Sequence, residues 1–134
     1  MGGGHNHRYN LADGILIKDN HIAALRAQGM SLTDTVRLAE ERASHTIKIE
    51  VEVTTMEEVQ EALDGGAQLV LLDNMSVEQM RQAVQLVDHR AMLEASGGIT
   101  LDSVRAIAET GVDLISSGAL THSTQALDIS LDFV

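Results

Sequence analysis

Residues 55–73 read TMEEVQEALDGGAQLVLLD, and residues 100–118 read TLDSVRAIAETGVDLISSG. Laid over one another, Thr55, Val59, Gly66, Leu69 and Asp73 fall on Thr100, Val104, Gly111, Leu114 and Gly118. Each copy starts on a threonine suited to cap a helix, carries apolar residues at helical spacing and breaks at glycine. Each then closes in a short apolar run. A helix leading into a buried strand, repeated with a period of about 45 residues, fits a pair of βα units in a (β/α) barrel.

The pattern extends in both directions. Upstream, IKIEVEV at 47–53 alternates apolar and charged residues, as expected of a strand with one wet or functional side. TDTVRLAEERA at 33–43 places Val36, Ala39 and Ala43 on one helical face, and ILI at 15–17 is a further short strand. Thr55 with Glu58, and Ser76 with Gln79, have the capping-box spacing. The helices they open turn Met56, Val59 and Leu63, and Val77, Met80, Val84 and Val87, inward. Downstream, MLEA at 92–95 and LIS at 114–116 are strands, and Thr100 caps a helix burying Leu101, Val104, Ile107 and Ala108. ALDISLDF at 126–133 alternates again, as a terminal strand or a docking segment. About five βα units in series make an α/β protein with a parallel sheet.

Composition agrees with one domain. The 134 residues are 44% hydrophobic and 22% charged, with one tyrosine and one phenylalanine as the only aromatics. The core is therefore filled by aliphatic side chains and Met, which suits a buried parallel sheet. A formal net charge of −11 argues against nucleic acid as a partner. It leaves room for an anionic small molecule only where cations are gathered locally. The absence of cysteine excludes disulfides and thiolate metal sites. The apolar runs are too short to span a membrane and no secretory signal opens the chain, so a cytoplasmic protein is expected.

One block brings an arginine, a lysine and three histidines together with glycines, GGGHNHRYNLADGILIKDNH at 2–21. Its glycines allow close backbone approach to a ligand, and Arg8 offers a planar fork for carboxylate or phosphate. Lys18 follows an apolar strand directly, so it stands at a strand end. His5, His7 and His21 raise the question of zinc, but an H-x-H spacing specifies no site and the nearby Asp13 and Asp19 have no evident ligand geometry. Glu52 is either a solvated strand residue or a functional carboxylate. Asp73 is either a helix cap with Asn74 or a group presented to a pocket. SGG at 96–98 and SSGA at 116–119 are either ordinary turns or backbone cradles for an anion. Two such loops on successive strands match the paired phosphate loops of late barrel strands. Cations, two carboxylates and two glycine loops are what transfer of a phosphorylated sugar needs, with Mg²⁺ held by carboxylates and phosphate oxygens.

GGGHNHR, LIKDNH, IEVEV, LVLLDNM, LEASGGI, TGVDLISSGALTHS and ALDISLDF stand in the same order in quinolinate phosphoribosyltransferase, or nicotinate-nucleotide pyrophosphorylase (carboxylating). From Gly2 to the C-terminus the chain resembles that family. The resemblance implies transfer from 5-phosphoribosyl 1-pyrophosphate to quinolinate with decarboxylation, giving nicotinate mononucleotide, pyrophosphate and CO₂ in NAD biosynthesis, with Mg²⁺. It implies that His7, Arg8 and Lys18 surround quinolinate's carboxylates. Glu52 and Asp73 would face the ribose hydroxyls and the metal, directly or indirectly, and Lys18, Glu52 and Asp73 would form the catalytic set. Ser96, Gly97 and Gly98, with Ser117, Gly118 and Ala119, would line the phosphate site.

The family's N-terminal sandwich domain and first barrel strands have no counterpart in residues 1–134, and neither do its further substrate-gripping cations. The resemblance thus implies an incomplete, TIM-like parallel (β/α) barrel, the C-terminal catalytic part of a longer homodimer or higher homo-oligomer. Such a chain is expected to turn over little by itself and to expose a strand edge and apolar helix faces. Two other readings stay open: a related phosphoribosyltransferase with a different acceptor, and a non-catalytic half-barrel that binds phosphoribosyl ligands or serves assembly.

Overall fold

A computed structural model describes residues 2–121. The order is β1 (Ile15–Ile17), α1 (Asp19–Arg26), α2 (Leu32–Arg42), β2 (Ile49–Val53), α3 (Met56–Gly65), β3 (Leu69–Asp73), α4 (Val77–Val87), β4 (Met92–Ser96), α5 (Val104–Ala108) and β5 (Leu114–Ile115), then a single 3₁₀ turn at Gly118–Leu120. The tail read as ALDISLDF lies outside the described residues.

Capping chemistry sets most helix starts. Ser31 opens α2 by accepting from the Asp34 amide, and Ser76 and Gln79 exchange both bonds of a capping box at α4. At α3 the Thr55 hydroxyl accepts from Glu58 N, but the Glu58 carboxylate takes the Thr54 amide instead of Thr55's. Only half of the expected box is made there. Helix α3 ends on Gly66 at φ 93°, a left-handed conformation that glycine adopts without steric cost. Helix α1 was not expected from the sequence. It starts at Lys18, whose amide donates to His21 Nδ1, with Asp19 in its first turn and Arg26 in its last, complementing the helix dipole.

All five strands are parallel and stand in sequence order, β1-β2-β3-β4-β5. That is the arrangement of consecutive barrel strands. Among the described residues β1 pairs only with β2 and β5 only with β4, so the sheet stays open and the barrel is not closed. Alternation along each strand sends Ile49, Val51, Val53, Val70, Leu72, Leu93 and Ala95 to the helix side. There they are buried with Val36, Val59, Ala62, Met80, Ala83 and Val87 in one continuous core. The opposite face carries Leu16 and Lys18, Glu50 and Glu52, Leu71 and Asp73, and Glu94 and Ser96, as the pairings Leu16–Glu50, Glu52–Leu71 and Leu71–Glu94 require.

One expectation is corrected. Leu101 and Ala108 do not point inward: both are exposed, Leu101 by 94%. Helix α5 begins only at Val104, because residues 100–103 form a turn in which Thr100 N donates to Ser103 Oγ and Ser103 N to Thr100 Oγ1. The three-residue delay rotates the apolar stripe, and Ile107 alone of the helix is buried.

Candidate active site

The carboxyl ends of the strands gather the predicted polar residues, because each strand's last inward position falls there. Lys18 leaves β1 and places Nζ 3.9 Å from Glu52 Oε2 on the neighbouring strand. Glu52 is held above the ordinary carboxylate range. Burial is the main cause, Lys18 opposes it, and the Asp73 charge adds to it. Glu52 and Asp73 therefore lie within electrostatic reach of each other. Asp73 is not a helix cap, since Ser76 performs that role for α4. Its Oδ2 accepts from the Asn74 side-chain amide at 3.0 Å, and its side chain lines a cleft.

Residues 96–99 and 116–119 form the rest of that cleft. Ser96, Gly97, Gly98, Ser117, Gly118 and Ala119 thus all meet Asp73 in one place, as the sequence suggested. Gly97 has φ 84°, and a Cβ there would collide with the Asn74 side-chain amide. Asn74 itself sits at φ 52° and donates its backbone N–H to Ser96 O. The loops after β3 and β4 are therefore locked together by a contact that only glycine permits. Ser117 Oγ donates to Ile99 O at 3.4 Å and ties the last loop to its neighbour. The result is a backbone-lined hollow beside two carboxylates and a lysine, suited to an anionic group attached to a polyol.

The opening histidines do not converge. His5 is exposed, and His21 Nδ1 is engaged with Lys18 N. His7 instead enters the sheet's inner face. Its Nε2 stands 3.2 Å from both Glu50 oxygens and 3.5 Å from Glu94 Oε1. Glu50 and Glu94 are both buried, at 6% and 4% exposure. Burial pushes the Glu50 carboxyl up, and the Glu94 charge pushes it further. His7, through its charge and hydrogen bond, and more weakly the Arg8 charge, pull it back. Sequence reasoning missed both glutamates. The signal was present: IEVEV puts Glu50 and Glu52 on one face, and Glu94 interrupts an apolar strand.

Comparison with known proteins follows the same pattern. The family described as "Quinolinate phosphoribosyl transferase, C-terminal domain" matches residues 1–132. The chain belongs to this family. A Bacillus subtilis protein named "Probable nicotinate-nucleotide pyrophosphorylase [carboxylating]" is 47% identical over 131 residues, covering 98% of this chain and 44% of that protein. The "Quinolinate phosphoribosyltransferase [decarboxylating] 2b, mitochondrial" of Nicotiana tabacum is 44% identical over 146 residues, covering 98% of this chain and 41% of the relative. The crystal structure of NadC from Streptococcus pyogenes superposes with TM-score 0.84 at 40% identity, over 98% of this chain and 45% of that one. This quinolinate phosphoribosyl transferase C-terminal domain thus spans under half the length of the relatives it matches. Among its described residues no helix is long and apolar enough to cross a membrane.

Proposed function

We propose that this chain provides the ribose- and phosphate-facing part of an enzyme that transfers a phosphoribosyl group from 5-phosphoribosyl 1-pyrophosphate to quinolinate and releases CO₂. The product would be nicotinate mononucleotide, a precursor of NAD. The observation that carries the reading is the convergence of Lys18, Glu52 and Asp73 at the same sheet end as the glycine loops of 96–98 and 117–119. The names of the relatives support the acceptor.

In this reading the two glycine loops bind the 5-phosphate through backbone N–H groups. Glu52 and Asp73 accept from the ribose hydroxyls, and their charges favour the oxocarbenium-like state formed as pyrophosphate leaves. Lys18 holds a quinolinate carboxylate and orients the pyridine nitrogen towards the anomeric carbon, with His7 and Arg8 completing the cationic side. After transfer the ring nitrogen carries positive charge and can take up the electrons of the breaking C–CO₂ bond. The all-oxygen pair Glu52 and Asp73 fits Mg²⁺, which would neutralise pyrophosphate charge when bound. The reading also takes the whole enzyme to be a homodimer or larger homo-oligomer working in the cytoplasm.

Asp73→Asn tests this in a chimaera whose remaining barrel strands come from the Bacillus subtilis relative. Quinolinate-dependent CO₂ release should fall by roughly a hundredfold or more with an unchanged circular dichroism spectrum. Unimpaired turnover of that variant, or a folded chimaera that ignores quinolinate, would overturn the proposal.

A further inference from the structure

Asn74 follows Asp73 directly and leaves the strand in a left-handed conformation, φ 52°, where a side chain crowds its own backbone. Among the described residues after the carboxyl ends of strands it is the only non-glycine held in this way. Its backbone N–H donates to Ser96 O at 3.0 Å, one step beyond the Asp73–Ser96 pairing that ends the β3–β4 ladder. The left-handed turn throws the side chain back onto the site. Nδ2 comes within 3.0 Å of Asp73 Oδ2, and the amide fills the space in which a Cβ on Gly97 would stand. Every group of this clamp lies on β3, on β4 or in the loop after either strand, so it is complete within the described sheet.

The chemistry of the clamp is specific to asparagine. A carboxylate only accepts, so the NH₂ group must face Asp73 and the amide carbonyl must face the glycine loop. Glycine would adopt the same backbone but has no donor. Aspartate tolerates the turn, but it offers only acceptors and would set a further negative charge beside Asp73, which Glu52 already feels. Asparagine joins the left-handed backbone to a compact, neutral donor. Among the described residues no other group bonds the Asp73 carboxylate. Tethering one oxygen restricts rotation of the side chain and leaves the second oxygen for a ligand.

We propose that Asn74 is the positioning residue for Asp73, its amide holding the carboxylate at a fixed offset from the glycine loop of residues 96–98. In the transfer reaction, the carboxylate that accepts from the ribose hydroxyls and the loop that takes the 5-phosphate must stand one ribose apart. The clamp sets that spacing before substrate arrives. Such preorganisation acts on the transition state more than on ground-state binding, because the charge it aims develops only as pyrophosphate leaves. The effect on turnover rests on the proposed function, whereas the clamp itself does not.

The test measures Asn74→Gly and Asn74→Asp in the chimaera with the Bacillus subtilis strands, with thermal melting as the check on folding. Asn74→Gly keeps the left-handed backbone and removes only the amide. It should melt near the parent while kcat falls about tenfold and KM for 5-phosphoribosyl 1-pyrophosphate moves less than about threefold. Asn74→Asp keeps the shape and should lose at least as much; it gives the same reading should Asn74→Gly fail to fold. Parent kcat in either folded variant would overturn the proposal and leave Asn74 a turn residue. In an Asp73→Asn background, Asn74→Gly should cost less than about twofold, and a fully additive loss would show that Asn74 does not act through Asp73. A parent chimaera without quinolinate-dependent CO₂ release would count against the transfer reading alone. The clamp is then read in proton–nitrogen correlation spectra of the whole 134-residue chain. The Asn74 side-chain amide should exchange more slowly than those of the exposed Asn6 and Asn20, and Asp73→Ala should abolish that protection. Exchange as fast as at Asn6, or protection untouched by Asp73→Ala, would equally overturn it.

Discussion

Glu50 and Glu52 stand on one strand, on one face, with a single valine between them, yet they sit in different chemistries. The Glu52 side chain keeps 18% exposure and meets a lysine that is itself half in solvent. The Glu50 side chain keeps 8% and meets a histidine and a second buried carboxylate. One step along β2 separates a strand-end carboxylate beside a lysine from a more deeply buried one beside a histidine. Residue type and strand pattern are the same, and depth along the barrel axis makes the difference. Low dielectric at Glu50 turns an ordinary carboxylate into a group that demands a proton or a cation.

Removing the framework common to both regions should have the largest effect. Leu72 is fully buried behind β3, between the strands that carry the glutamates. Leu72→Ala is expected to cost about 2–5 kcal/mol in urea unfolding, from lost burial plus the cavity left behind. It should perturb the strand-end site and the interior cluster together. A loss below about 1 kcal/mol would mean that the helix-side core does not hold the two in register.

Gly97→Ala separates the regions, because it touches only the strand-end loops. The residue's φ of 84° and the collision with Asn74 predict a loss of about 1–3 kcal/mol and weaker phosphoribosyl binding. Wild-type thermal stability in this variant would show that the loop relaxes without cost.

Acidity sharpens the contrast between the two glutamates. Burial raises the folded-state pKa of Glu50 above its ordinary 4.5, so folding disfavours its ionised form. Its contribution is fully favourable below that ordinary value and is lost as pH rises through the raised one. Glu50→Gln should therefore melt with the wild type in acid and increasingly above it towards neutral pH, by a few degrees. Glu52 is shifted in the same direction, but it is more exposed and opposed first by Lys18, so Glu52→Gln should gain less. A gain that is flat with pH, or larger for Glu52→Gln, would mean that depth does not distinguish them.

Lys18→Ala should change stability least, by under about 1 kcal/mol in denaturant, because an ion pair this exposed is weak. Under the proposed function its larger effect is expected on quinolinate binding in a closed barrel. A large loss of stability would make Lys18 a structural residue.

The two 19-residue copies at 55–73 and 100–118 carried enough periodicity, capping and glycine placement to specify helix, strand and parallel order. Those are local properties, set by backbone geometry within a few residues. Their limit shows in the second copy, where a Thr100–Ser103 turn delays α5 and leaves Leu101 outside. Hydroxyl–backbone bonding competes there with helix initiation, and the pattern cannot weigh the two.

The strand-end site was legible because each of its members ends a strand or follows one, and parallel order brings all such positions to one rim. Lys18, Glu52, Asp73 and the two glycine loops needed only topology to be placed together. The His7–Glu50–Glu94 cluster needed more. It joins a loop residue to strands 43 and 87 positions away, and it depends on how far each strand is staggered along the axis. Sequence by itself determined which side chains share a face. Only tertiary structure decided which of them are out of water, and burial depth is what makes one glutamate a strand-end partner of a lysine and its neighbour a buried partner of a histidine.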